Sequence, residues 1–226
     1  MAKDLKTIIH RNLILCEGTD DWNFFVEYLN SSERAKEDKR YAEDVDVLSY
    51  DGNRNIGAFL QTVQKTSGYA GVKTLLVIGD AEDDARIAEQ RLKSALGRAG
   101  LSVPESLGEW ECSRSVATAY LLFPSLDTSI ENGALEHFCM RVIREEYHPA
   151  EVLQEVTEVM QLLKQQRLRT FANEFKPKVH GFLSFTENFV GLKIGEAAKA
   201  GAFDWGSDRF DYLNALLKEG FRIAEC

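Results

Sequence analysis

Residues 72–79 read Val-Lys-Thr-Leu-Leu-Val-Ile-Gly, and positions 74–78 form a nearly continuous apolar run. A strand with one wet face alternates apolar and polar residues. An unbroken run of this length bounded by turn residues is the pattern of a strand covered on both faces, as in a parallel sheet. Directly behind it stand Asp80, Ala81, Glu82, Asp83 and Asp84. A buried strand that delivers carboxylates at its carboxyl end narrows the choice of fold, because ligands of open α/β sheets bind at such ends.

The same grammar recurs along the first half of the chain. Positions 13–16 are apolar and end in Glu17-Gly18, after which Trp22, Phe24, Phe25, Tyr28 and Leu29 take up helical spacing. Residues 31–43 are polar and charged, predicting a loop or frayed helix end, and residues 45–50 alternate as a short strand. A turn is expected over 51–55 and a helix over 56–63. Beyond the acidic stretch, 85–97 predicts a helix with Ile87, Leu92 and Leu96 on one side, and 117–123 another apolar strand. Strands alternating with helices imply βαβ units with right-handed crossovers. The expected fold class is therefore α/β, a Rossmann-like parallel sheet flanked by helices. From Gly133 onward the spacing is helical, over 135–143, 152–171, 179–185 and 209–221. We therefore expect an α/β portion over 1–130 and a helical C-terminal portion over 131–226 packed on the same core.

Composition limits the function. With 44% hydrophobic and 28% charged residues the chain can bury a real core and falls outside the disordered classes. It lacks an apolar stretch approaching the roughly 18 residues of a membrane span, and its start is a poor signal peptide, so a cytoplasmic, membrane-free protein is expected. The four cysteines are scattered with no CxxC pair, which indicates reduced, mostly packing thiols and no zinc site. A net charge of −9 argues against a protein that coats nucleic acid, since neutralisation by Lys and Arg dominates such binding. It leaves room for a nuclease whose carboxylates are offset by metal.

Magnesium takes hard oxygen ligands, commonly one or two carboxylates with water and phosphate oxygens. Asp80 and Glu82, two apart at a strand end, suit one ion, and Asp84 is near enough for an outer shell. Glu17, ahead of a glycine that permits a sharp turn, points to the same crevice as a ligand or general acid/base. A competing role exists for each acidic residue near a helix start, because carboxylates there cap the helix and oppose its dipole. Asp20, Asp21, Asp83 and Asp84 fit that structural role better than Glu17 and Asp80 do.

The series ILCEGTDD, then DGNRNI, then LLVIGDAEDD resembles the toprim domain of bacterial primases, type IA and II topoisomerases, recombination mediators and OLD-family nucleases. With NGALEHF and KPKVHGFLS…IGEAAKAGAFD, the chain looks most like a toprim-like family related to the OLD nucleases. The resemblance implies that Glu17 matches the toprim glutamate, that Asp21 matches the acidic position four residues on, and that Asp80 and Glu82 match the DxD pair holding Mg2+, with Mn2+ as a substitute. A glutamate at the second DxD position keeps the charge but lengthens the arm by one methylene. The resemblance further implies that Glu136 contributes to a second metal and that Lys178, or its neighbour Lys176, neutralises the transition state. A metal-dependent nuclease acting on nucleic acid is thus expected. OLD nucleases join their toprim domain to an ATPase, whereas this chain has no GxxxxGK[ST], so a separate ATPase or other protein partner is a further expectation. The rival expectation is a non-catalytic toprim-fold module serving a partner.

Two other features have simpler readings. The aromatic residues from Phe182 to Phe221 sit at helical spacing among leucines, which favours a core over base stacking. Lys164, Arg167 and Arg169 form a basic patch of the kind usually found on a solvated helix face.

Overall fold

The computed structural model describes residues 7–50, 52, 56–171 and 174–226. Four strands, β1 (Asn12–Cys16), β2 (Val45–Ser49), β3 (Thr74–Asp80) and β4 (Ala117–Phe123), form one sheet in the order β2-β1-β3-β4 with every pair parallel. Helix α1 spans Thr19–Leu29, α2 Ser32–Glu37, α3 Arg40–Glu43, α4 Ile56–Val63 and α5 Ala85–Arg98. After β4 come α6 (Leu135–Arg141), α7 (Pro149–Gln165), α8 (Phe175–Phe185), α9 (Ile194–Lys199) and α10 (Asp211–Glu225). This is the expected α/β architecture, a Rossmann-like parallel sheet flanked by helices with a helical C-terminal portion packed on it.

The apolar runs form strands because both sheet faces are covered. Ile14, Cys16, Leu76, Ile78, Ala119, Leu121 and Phe123 point to one face, where they meet α1 and residues of α6, α8, α9 and α10. The intervening Leu13, Leu15, Leu75, Val77, Tyr120 and Leu122 point to the other, against Ile56, Leu60 and Val63 of α4 and Ala88, Leu92 and Leu96 of α5. The period of two thus persists, but both sets are apolar. The edge strand β2 is half-buried after Val45, as its polar alternation indicates.

These two faces explain where a site can form. The β1-to-β2 connection runs through α1 on one face, whereas β2-to-β3 and β3-to-β4 run through α4 and α5 on the other. With right-handed crossovers, the chain travels in opposite directions from β1 and β3. The gap between the carboxyl ends of these neighbouring strands is the switch point at which α/β sheets bind ligands.

Some local readings change. The segment expected as loop or frayed helix over 31–43 forms α2 and α3, with Ser31 capping α2 through its side chain to Arg34 N. The helix expected over 152–171 is earlier and shorter, because Pro149 pre-sets its first turn and Arg167 turns left-handed at its end. Helix α9 goes beyond the predicted set. The turn expected over 51–55 lies, apart from Gly52, outside the described residues. Phe182, Phe189, Phe203, Trp205, Phe210 and Phe221 are buried core, where the Phe24 ring is tilted against Phe203, edge-on to Trp205 and stacked on Phe210, while Phe185 is exposed. Cys16 and Cys139 are buried and Cys112 and Cys226 exposed, all as free thiols. Among the described residues, none of the helices is long and apolar enough to cross a membrane.

Candidate metal centre

Glu17 directly follows β1 and Asp80 ends β3, so parallel pairing of these strands brings two residues 63 positions apart to one crevice. Glu82 joins them from the turn after β3. A carboxylate oxygen of each of the three lies within 4.8 Å of the others, with Glu17 and Asp80 half-buried and Glu82 exposed at the mouth.

The position of Glu82 is held by backbone rather than by side chains. Its φ of 54° is left-handed, a conformation that costs a residue with a Cβ. A reciprocal pair fixes it: Glu82 N donates to Gly133 O at 2.7 Å and Gly133 N donates to Glu82 O at 2.8 Å. Asn132 secures the following residues, since its Nδ2 donates to Asp83 O at 2.8 Å and its Oδ1 accepts from Ala85 N at 3.0 Å. Gly133 itself has φ 145°, and a Cβ there would stand 2.7 Å from His137 Nδ1, so only glycine fits without rearrangement. The loop before α6 thus shapes the second acidic motif.

Two more carboxylates border the three. Asp21, at the third position of α1, is buried; its Oδ2 accepts from Gly18 N at 3.2 Å, while its Oδ1 has no hydrogen-bond partner among the described residues. Burial pushes its pKa up to about 7, helped by the charges of Glu17 and Glu136, against the opposing pull of its backbone hydrogen bonds. Asp80 is raised well above the usual carboxylate range by burial first, then by Asp21, Glu17 and Glu136, although its Oδ1 accepts from Leu135 N at 3.0 Å. Tyr50 beneath the site is raised as well, by burial and then by Glu17, Asp21 and Asp80. Like charges concentrated in a partly dry crevice are the common cause.

The remaining candidates divide. Glu136, in the first turn of α6, contributes its field to Asp21 and Asp80, and its Oε1 lies 3.6 Å from Lys176 Nζ. Lys176 is therefore the lysine that reaches the acidic group, whereas Lys178 Nζ lies 5.9 Å from the centroid of the Phe175 ring. Helical phase separates the two, as residues two apart leave a helix in nearly opposite directions. Asp84, expected in an outer shell, is the N-cap of α5: its Oδ1 accepts from Arg86 N at 3.0 Å and Ile87 N at 3.1 Å, and it is not one of the three converging carboxylates. The deep placement of Asp21 was masked by its position, because an acidic residue there also reads as an ordinary helix cap.

The donor set suits a divalent cation. Hard carboxylate oxygens converge, the charges repel without a counter-ion, and Asp21 holds a buried oxygen without a hydrogen-bond donor among the described residues.

Fold and site together define an α/β protein with an acidic cluster at the switch point of a parallel sheet. Residues 11–222 match the model of the family described as "Protein of unknown function (DUF3226)", and the chain belongs to that family. No curated protein and no solved structure matches the chain.

Proposed function

We propose that the protein is a magnesium-dependent nuclease-like enzyme of toprim type, acting on nucleic-acid phosphodiesters. The observation that carries this reading is the convergence of Glu17, Asp80 and Glu82 within 4.8 Å at the switch point. Glu17, Asp80 and Glu82 would hold the ion, with Asp21 and Glu136 beside them. Bound magnesium supplies charge stabilisation for phosphate oxygens and lowers the pKa of a coordinated water.

The chain's own groups prepare that chemistry. Asp80 is oriented by Leu135 N, which leaves its second oxygen for a ligand. Glu82 is presented by the clamped turn at the open side of the crevice, where a strand of nucleic acid can approach. Glu17, beside Asp21 and Asp80 at the sheet end, is the group assigned to proton transfer at the reacting oxygen. Lys176 lies at the rim, where its ammonium can offset charge on a bound phosphate.

Purified protein with magnesium or manganese should cleave labelled DNA or RNA. The double variant E17Q/D80N should lose at least about 100-fold of that activity, the scale of removing a principal electrostatic contributor. Cleavage no greater in the wild-type chain than in the variant would refute the enzyme reading and leave a metal-binding module.

A further inference from the structure

Between residues 161 and 178 the chain carries Lys164, Arg167, Arg169, Lys176 and Lys178 against the single acid Glu174, although its net charge is −9. The fold does not scatter these residues. Helices α7 and α8 pack together as a hairpin, and Lys164 at the end of α7 pairs with Glu174 at the start of α8. Two positions after Glu174, Lys176 reaches Glu136 beside the acidic crevice. Two positions along a helix correspond to about 3 Å of rise, so the first turn of α8 carries both the pairing to α7 and the contact with Glu136.

Arg167 and Arg169 project from that tip. Both are exposed, and neither has an ion-pair partner among the described residues. They follow the C-cap of α7 directly, where cations also favour the negative end of the helix dipole. Arg167 also adopts φ 55° at the left-handed position where helices favour glycine.

We infer that the α7–α8 tip is a phosphate-contacting arm, with Arg167 and Arg169 gripping the backbone of a nucleic-acid strand whose neighbouring segment enters the carboxylate site past Lys176. This rests on the nuclease reading and adds the surface that the acidic crevice lacks, because a cluster of carboxylates repels a polyanion except where metal lies. Exposed Leu162 and Leu168 near the tip suggest an anionic membrane as the competing occupant. The strand is favoured by the arm's connection to the carboxylates through Lys176 and Glu136.

The test reads binding alone, so it can fail independently of cleavage. Fluorescence anisotropy of labelled single-stranded DNA, single-stranded RNA and duplex would be followed with the full chain in calcium in place of magnesium, so that the carboxylates carry a counter-ion while the probe stays intact, between about 50 and 200 mM salt. The variant Arg167→Gly with Arg169→Gln suits the purpose, because glycine accepts the left-handed turn and the fold is preserved. It should bind its preferred strand about tenfold more weakly at low salt. Its slope of log affinity against log salt should be smaller by about two, one for each lost phosphate contact. Wild-type affinity and slope in the variant would overturn the arm. So would a wild-type chain that binds phosphatidylserine vesicles and no strand. Arm-dependent binding without cleavage would uphold the arm while refuting the nuclease reading.

Discussion

The carboxylates at the switch point differ in what holds them, and those differences were unequally visible in the sequence. Glu17 and Asp80 are legible because each directly follows an apolar strand, and parallel pairing must then bring their positions together. Asp84 and Asp21 occupy similar helix-start positions, yet Asp84 spends its carboxylate on two backbone donors while Asp21 turns one oxygen into a buried space. Sequence spacing does not report that difference, which arises from packing around α1. It has a consequence for stability. Folded Asp21 holds its proton to about pH 7, compared with 3.8 for an ordinary aspartate, so between these values the folded chain binds more protons than the unfolded one. The stabilising contribution of the protonated form is complete below about pH 4 and is lost as pH rises through about 7. Asp80 is shifted in the same direction. In EDTA the urea midpoint should therefore fall from pH 5 to pH 8, by stability on the order of 1–3 kcal/mol. Asp21→Asn should flatten the fall, and saturating magnesium should oppose it, because bound cation favours the ionised carboxylates. A midpoint rising with pH in EDTA would contradict the crowded-carboxylate account.

At the scale of elements, strand positions followed from the apolar runs, and most helices followed from three- and four-residue spacing. Helix phase and short helices were harder to read. Lys176 and Lys178 are equivalent on paper, and only the docking of α8 against α6 decides which approaches Glu136. Helix α9 is six residues long, too short for periodicity to announce it, yet it seats against α1 so closely that a Cβ on Gly195 would meet Asn23 Cβ at 2.5 Å. Gly195 N also donates to Asp20 Oδ1 at 3.3 Å, which ties α9 to the end of α1 that carries Asp21. The Asn132-Gly133 loop similarly acts on Glu82 from 50 residues away through backbone pairing. Gly133→Ala should strain the left-handed turn and press on His137, costing about 1–3 kcal/mol by chemical denaturation. Displacement of the paired Glu82 should also weaken magnesium binding in titration calorimetry. Unchanged stability and unchanged metal affinity in that variant would mean that the clamp does not set the geometry of the turn.

Across the whole molecule, the α/β and helical portions share a core. One sheet face is covered in large part by residues after position 130, including Leu135, Phe138, Phe182, Phe203, Phe210 and Leu217. The change to helical spacing near 130 was legible, but which sheet face those helices cover depends on tertiary packing. A fragment ending at residue 130 would keep α1 on that face but lose the packing of Leu135, Phe138, Phe182, Phe203, Phe210 and Leu217, leaving a contiguous apolar patch open. It should bind a hydrophobic dye and lack a cooperative urea transition, whereas the full chain should unfold in one step by circular dichroism and fluorescence. A fragment with its own cooperative transition would contradict the shared core. The central claim, that Glu17, Asp80 and Glu82 make one divalent-metal centre, is tested most directly by anomalous diffraction from crystals of the protein soaked in manganese. The account predicts an anomalous peak within coordination distance of oxygens from all three carboxylates, and its loss in Asp80→Asn. Ordered carboxylates with no peak between them, under soaking conditions that place manganese elsewhere on the molecule, would contradict it.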